Sequence, residues 1–98
     1  MNFEIAPKST EIVSNWDDAR LYCFALNIDG KTGWRLPTKE ELNEIYESKN
    51  DFDKDWYWSS TEFNSSNVWY QNFYDGNKYK GRNKNYGDIY VRAVRDIT

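Results

Sequence analysis

Four cationic side chains recur at every second position late in the chain, at Lys78, Lys80, Arg82 and Lys84. Side chains alternate along a β-strand, so an extended segment would place all four on one face. Such a basic ribbon could bind sulfate, phosphate or uronate groups on a polymer. The alternative is that the lysines protect an exposed edge strand from pairing with another chain. Gly81, in the middle of the ribbon, could also bend it.

A second set of side chains has the spacing of calcium ligands. Asp51, Asp53 and Asp55 alternate along the chain, and Glu62 stands at the twelfth position of a calcium-loop count. Trp56, however, occupies the position where such a loop needs glycine for its sharp turn. The residues that follow have the pattern of a strand, so the sequence favours a strand over a calcium loop. A looser oxygen-ligand site for calcium stays open as an alternative, and no other cofactor is predicted.

Aromatic side chains are concentrated among polar residues in the second half of the chain. Neighbouring rings in a strand face opposite sides, so these rings cannot all be buried. Tyrosine and asparagine together make good contact surfaces for a protein or a sugar, because the ring adds area at low entropic cost. The alternative is a small aromatic core with half-exposed tyrosines whose hydroxyl groups stay wet. The binding hypothesis covers residues 63–88, with Trp69, Tyr70, Tyr74, Tyr79 and Tyr86 beside the four cations.

The residue types present argue against an enzyme. Histidine is absent and Cys23 is the only cysteine. This excludes a histidine-dependent triad, a zinc site of the usual kind and a disulfide within the chain. Ser59 and Ser60 have no base to activate them, so the sequence predicts no catalytic residue. Three arginines are expected to be structural, paired with nearby carboxylates: Arg35, Arg92 and Arg95, with Glu40, Glu41, Asp88 and Asp96 as choices.

Length and charge restrict the remaining classes. A chain of 98 residues predicts one domain, residues 1–98. The net charge of −3 argues against binding nucleic acid through overall charge. No apolar run approaches the roughly 20 residues that a membrane span needs. The first residues lack a basic start followed by an apolar stretch, so no signal peptide is predicted and synthesis in the cytoplasm is expected.

Two helices are predicted to position these side chains. Ser14 or Asn15 can cap a first helix that runs to about Asn27. The segment G-W-R-L-P-T-K-E-E-L at 33–42 turns the chain at Pro37 and starts the second helix, over 39–47. Thr38 and Glu41 have the spacing of a capping box, in which each side chain accepts a hydrogen bond from the other residue's backbone N–H.

Strands are predicted on both sides of the helices, which makes the fold class α+β. Asp75-Gly76-Asn77 is a hairpin signal between two of the later strands. The predicted strands are 2–6, 10–13, 56–60, 68–74, 78–82 and 89–94.

Four motifs in order now point to a family. They are W-D-D-A-R-L-Y-C at 16–23, the 33–42 segment, Y-W-S-S-T-E at 57–62 and Y-V-R-A-V-R at 90–95. Together they resemble the DUF1566 family, also called the Lcl C-terminal domain, which is related to C-type-lectin-like folds. The resemblance implies a compact C-type-lectin-like domain with adjacent chain ends. Its two helices would pack on a twisted antiparallel C-terminal half.

The resemblance also bears on function. The Lcl group includes binders of sulfated glycosaminoglycans, which supports a polysaccharide as the partner of the basic ribbon. The related formylglycine-generating enzymes use cysteines that this chain lacks, and the sugar-binding calcium motifs of long-form C-type lectins are absent. The main hypothesis is therefore a non-enzymatic module that binds a glycan or a protein surface. The alternative is a structural accessory protein of a phage or virus particle, in which the same surface contacts neighbouring subunits or further copies.

Overall fold

The structure, a computed structural model, describes residues 2–48 and 51–97, with the side chains of residues 80–82 outside that description. Two helices lie between short N-terminal strands and a strand-rich second half, which confirms the predicted α+β fold. The elements are β1 (Phe3–Ile5), a 3-10 helix (Lys8–Thr10), β2 (Ile12–Ser14), α1 (Trp16–Ala25), α2 (Lys39–Glu47), β3 (Trp56–Glu62), β4 (Asn67–Asn72), β5 (Lys78–Asn83), β6 (Ile89–Val91) and β7 (Val94–Asp96).

The strands form two sheets. The larger has the order β2-β6-β3-β4-β5, in which β3 and β6 are parallel and the other pairs are antiparallel. The smaller sheet pairs β1 with β7, with Phe3 opposite Asp96 and Ile5 opposite Val94. The two ends of the chain therefore lie side by side, as the family resemblance implied.

The predicted final strand over 89–94 is wrong in one respect, because it is two strands in two sheets. β6 belongs to the large sheet, whereas β7 pairs with β1. Val94 exchanges both of its backbone hydrogen bonds with Arg35, at 2.8 Å each, which draws the chain out of the large sheet. The alternation of apolar residues over 89–94 continues through the point where the chain passes from one sheet to the other. The sequence pattern therefore did not indicate the change of sheet.

Both helix starts follow from local hydrogen bonds. The side chain of Asn15 caps α1 by accepting a bond from the Asp18 N–H at 2.8 Å. The predicted capping box of α2 is confirmed: the Glu41 N–H donates to Thr38 Oγ1 at 3.1 Å, and the Thr38 N–H donates to Glu41 Oε1 at 2.9 Å. The box fixes the direction in which α2 leaves the 33–38 segment and hence which residues of α2 face the large sheet.

The core is built around large aromatic side chains whose polar atoms are satisfied. The indole N–H of Trp16 donates to the Ser59 carbonyl at 2.8 Å, and that of Trp58 donates to the Ser14 carbonyl at 2.9 Å. Buried indoles usually need such a partner. One cluster of buried residues surrounds Trp16 and Trp58, and a second surrounds Leu42, Ile45, Tyr57 and Phe73.

Two arginines hold the ends of the chain to its middle. Arg35 forms a bidentate ion pair with Glu41 through two hydrogen bonds of 2.6 and 2.8 Å. It also donates a hydrogen bond to Asp96 at 2.7 Å. Arg95 pairs with Glu4 directly across the β1–β7 pair. These contacts join β7 to β1 and to the start of α2, so both arginines are structural, as the sequence predicted. The predicted partners include Glu41 and Asp96, but Glu4 was not among them.

The third arginine is buried. Arg92 is only 3% exposed and uses all three of its nitrogens. Nε donates to the Ala6 carbonyl at 2.6 Å, and the two terminal nitrogens donate to Glu11 at 2.8 Å and Asp51 at 2.7 Å. A buried guanidinium is tolerated when its donors are satisfied in this way. We call these three side chains the arginine braces: Arg35, Arg92 and Arg95.

Candidate functional site

A groove of about 230 Å³ lies between α2 and the β4–β5 hairpin. We call it the Trp69 groove. Its walls combine one indole ring, one carboxamide, two ammonium groups and one carboxylate. The lining residues are Lys39, Glu40, Asn43, Trp69 and Lys78.

The capped start of α2 sets the first wall of the groove. The Lys39 N–H donates to Thr61 Oγ1 at 3.0 Å, which ties the first turn of α2 to the end of β3. The Lys39 ammonium then lies 4.1 Å from the centroid of the Trp69 ring. A cation at this distance over an indole is electrostatically favourable. The edge of the same ring meets Phe63, with a centroid separation of 6.3 Å.

Asn43 lies one turn further along α2 and connects the helix to both strands of the hairpin. Its Oδ1 atom accepts a bond from Lys78 Nζ at 3.1 Å and one from Gln71 Nε2 at 3.2 Å. Gln71 is 1% exposed and also donates to the Gly76 carbonyl at 3.0 Å. Its Oε1 atom is buried without a hydrogen-bond partner among the described residues. The buried Gln71 amide thus fixes the position of Asn43 in the wall of the groove by a hydrogen bond.

The groove suits an anionic ligand with a flat apolar face. Trp69 is only partly buried, so its ring can take such a face. An ammonium has three donors, and the bond from Lys78 to Asn43 occupies one of them. Lys39 and Lys78 can therefore form charge-assisted hydrogen bonds with carboxylate or sulfate oxygens. The exposed carboxylate of Glu40 at the rim would repel some anions and so restrict how a ligand lies.

The predicted basic ribbon is only partly represented in this groove. Lys78 lines it, whereas Lys84 lies beyond β5, with its ammonium 2.8 Å from Glu62 and 4.7 Å from the centroid of the Trp16 ring. The side chains of Lys80 and Arg82 lie outside the described residues. The backbone register between β4 and β5 shifts between the Val68–Arg82 and Tyr70–Tyr79 pairs.

The predicted aromatic residues also separate. Trp69 lines the groove, but Tyr70 faces the opposite side, is buried in the core and stacks on Tyr79 with centroids 5.4 Å apart. Tyr70 therefore belongs to the core, which corrects its placement on the binding surface, and Tyr79 is its partly buried neighbour. Tyr74, 73% exposed, lines another cavity, and Tyr86 is exposed after β5.

The acidic residues considered for calcium do not converge. Asp51 binds Arg92, and Asp53 lies 2.8 Å from Lys8 Nζ. Asp55 accepts a bond from the Trp56 N–H, while Glu62 pairs with Lys84. Within residues 2–48 and 51–97, no group of three or more carboxylate or cysteine side chains could hold a metal ion.

Two potential nucleophiles are also used structurally. The Ser59 hydroxyl is buried and donates to the Trp69 carbonyl at 2.6 Å. Burial raises the pKa of the Cys23 thiol to about 12, which leaves little thiolate at neutral pH.

Three lining residues were not predicted, namely Lys39, Glu40 and Asn43. In the sequence they belong to the polar side of α2, and every amphipathic helix has such a side. No local signal distinguishes a polar helix face beside a groove from one that faces solvent alone. Only the packing of α2 against β4 brings these residues next to Trp69.

Comparison with known proteins agrees with the four motifs. The family model described as the Lcl C-terminal domain matches residues 4–95. A comparison with curated proteins finds no match. In the described part of the chain, neither helix has the length and apolar character to cross a membrane.

Proposed function

The chain belongs to the Lcl C-terminal domain family, and we propose that it is a non-enzymatic, lectin-like binding module for an acidic polysaccharide, with the Trp69 groove as its site. The observation that carries the proposal is the placement of two ammonium groups around one partly exposed indole. Lys39 lies over the ring, and Lys78 is bonded to Asn43 beside it.

The local charge supports an anionic ligand although the whole chain is acidic. Two cations and one carboxylate line the groove, so its charge differs in sign from the net charge of −3. Coulomb attraction between solvated groups falls off within a Debye length of about 8–10 Å at ordinary salt concentrations. A bound sulfate or uronate would therefore respond mainly to the lysines of the groove.

The shape supports a polymer rather than a small buried ligand. A groove of about 230 Å³ is below the range of about 300–1,000 Å³ for pockets that enclose a small molecule. It is open and lies on the surface of the β4–β5 hairpin. One or two sugar units could stack on Trp69 while the rest of a polymer passes over the hairpin.

A protein contact is the second candidate, as in an accessory subunit of a phage or virus particle. It is favoured by Tyr74, whose exposed ring lies beside a cavity of about 360 Å³ lined by Ile45, Tyr46, Phe52 and Phe73. Exposed aromatic groups next to an apolar recess are common in protein interfaces.

Binding of dextran sulfate, with neutral dextran as the comparison, tests the polysaccharide proposal. We expect calorimetry to show binding of the sulfated polymer only, weakened by added salt and unchanged by a calcium chelator. Trp69→Ala and the double variant Lys39→Gln/Lys78→Gln should each weaken binding by about tenfold or more. The matched control is Lys54→Gln, which removes a lysine from the Tyr74 cavity instead.

Three results would count against this assignment. Absence of binding to dextran sulfate would remove the anionic ligand and leave the protein contact as the better account. Equal losses for Lys54→Gln and for the groove variants would show non-specific attraction. Loss of binding on chelation would show that calcium takes part, which the separated carboxylates do not support.

A further inference from the structure

Helix α1 has apolar residues on two opposite sides. Trp16, Ala19 and Cys23 are buried against the large sheet. On the outer side, Leu21 is 67% exposed and Phe24 is 81% exposed. A helix that packs on a core with one face normally carries polar residues on the other. Two large apolar side chains one turn apart in water therefore indicate a contact surface.

These side chains border a groove. The α1 groove, as we call it, has a volume of about 460 Å³ and is floored by the buried side chains of Trp34 and Leu36. It shares no lining residue with the Trp69 groove. The surface thus consists of a protruding apolar ridge, Leu21 and Phe24, directly beside an apolar recess.

The rim of the α1 groove carries charges of both signs. Asp17 and Arg20 are exposed and lie one turn apart on the side of α1 that also carries Leu21 and Phe24. Neither takes part in an ion pair within the described part of the chain, although Arg20 lies 4.7 Å from the Trp16 ring centroid. The third charged residue of the rim, Arg35, is already bound by carboxylates. Asp17 and Arg20 are thus outside the described salt bridges, although the charge of Arg20 is, after Lys84, one of the causes that lower the pKa of Glu62.

We propose that the α1 groove is a self-association surface, in which a second copy of this chain binds through a two-fold axis. A two-fold contact uses the same patch on both copies, so that patch must be complementary to itself. Here the ridge can enter the recess of the other copy. With the two α1 helices antiparallel, Asp17 of each copy faces Arg20 of the other.

The expected dimer is weak. A stable interface of standard size buries about 800 Å² on each partner. The ridge and its rim supply only a handful of side chains, which corresponds to the smaller class of transient contacts. The association should therefore depend on concentration and should tighten as the local concentration of the domain rises, for example when several copies are held on one polymer.

Sedimentation velocity over a concentration series tests the proposal. We expect the wild-type chain to shift from monomer to dimer as its concentration rises, and Phe24→Ser to remain monomeric throughout. Tyr74→Ser is the matched control, because it removes a similarly exposed aromatic ring elsewhere and should leave the dimer intact. Circular dichroism verifies that each variant is folded.

A charge exchange tests the two-fold arrangement itself. Asp17→Arg alone would place two guanidinium groups together across the contact, and Arg20→Asp alone would place two carboxylates together. Each variant should therefore be monomeric. In an equimolar mixture, a dimer of the two different variants has one contact between the two substituted side chains and one contact between the two original side chains. Each of these contacts joins a guanidinium to a carboxylate, so the mixture should dimerise. A wild-type chain that stays monomeric, a dimer that survives Phe24→Ser, a trimer, or a mixture that stays monomeric would overturn the proposal.

Discussion

The arginine braces and the Trp69 groove both combine cations with aromatic or carboxylate partners, yet their polar groups are used differently. Each side-chain nitrogen of Arg92 donates a hydrogen bond to an acceptor within the protein, and the side chain is almost completely buried. Lys78 makes one described bond, to Asn43, and its side chain is exposed. Arg92 therefore has no nitrogen left for a ligand, whereas the ammonium of Lys78 has donors that the bond to Asn43 does not use.

The family motifs cover these two regions to different extents. Two of the motifs, 33–42 and 90–95, contain all three braces and hold the chain ends together. Of the five groove residues, Asn43, Trp69 and Lys78 lie outside all four motifs. The motifs therefore cover all three braces, but they cover only Lys39 and Glu40 of the groove.

Removing a brace should cause the largest loss of stability. Arg92→Ala leaves Glu11, whose side chain is only 8% exposed, without its buried cation. Breaking a buried ion pair on one side costs about 3–5 kcal/mol. Urea unfolding should show a drop of this size, and Arg92→Ala/Glu11→Gln should recover part of it. A loss no larger than that of a surface substitution would mean that the braces do not hold the fold.

A substitution in the turn of the β4–β5 hairpin should cause the next largest loss of stability. Gly76 has φ +81°, and a Cβ atom added there would lie 2.5 Å from the Tyr46 ring. Gly76→Ala should therefore destabilise the chain by about 2 kcal/mol, through backbone strain and displacement of that ring. Asp75→Ala, which leaves the glycine in place, is the comparison in thermal unfolding. Equal effects would argue against a conformational requirement at Gly76.

Acid should weaken the braces. The hydrogen bond from Arg35 lowers the pKa of Glu41 from its ordinary 4.5, and that from Arg92 lowers the pKa of Asp51 from 3.8. A carboxyl with a lowered folded-state pKa stabilises the fold fully above its unfolded pKa and loses this as pH falls through the folded value. Urea unfolding should thus show stability falling from about pH 5 to pH 3. Glu41→Gln should flatten the fall, and a profile that Glu41→Gln leaves unchanged would exclude this pair as a cause.

A smaller loss is expected when the capping box is broken. Thr38→Ala removes the hydroxyl that accepts the Glu41 N–H and should cost about 1 kcal/mol. Thr38→Ser keeps an acceptor and should cost less than about half as much. Equal losses for both variants in chemical unfolding would point to the lost methyl packing instead of the cap.

The smallest effect is expected in the groove. The double variant Lys39→Ala/Lys78→Ala removes two exposed or partly exposed cations and should change stability by less than about 0.5 kcal/mol. The same variant should weaken binding of an acidic polymer by about tenfold or more. A loss of stability comparable to that of Arg92→Ala would erase the distinction between the two regions.

Local patterns in the sequence predicted most of the secondary structure. The capping box and the Asp75-Gly76-Asn77 turn each depend on residues close together in the chain. Such signals report hydrogen bonds and dihedral angles that neighbouring residues impose on each other, so they remain valid whatever packs around them.

Side-chain faces in the β-rich half were less predictable. The register between β4 and β5 shifts opposite Val68 and Tyr70, which the sequence did not indicate. A change of sheet after β6 divides the expected last strand. Both depend on which strand lies alongside, and periodicity within one strand does not contain that information.

The sequence by itself determined the α+β class, the family, the capped helices and the lack of histidine chemistry. Only the tertiary structure decided that Tyr70 belongs to the core, that the acidic residues 51–62 are separated, and that Lys78 meets Asn43 across 35 positions of the chain. The reason is physical. Helix starts and turns are set by bonds between near neighbours, whereas a groove exists only where distant elements pack, and its lining depends on the geometry of that packing.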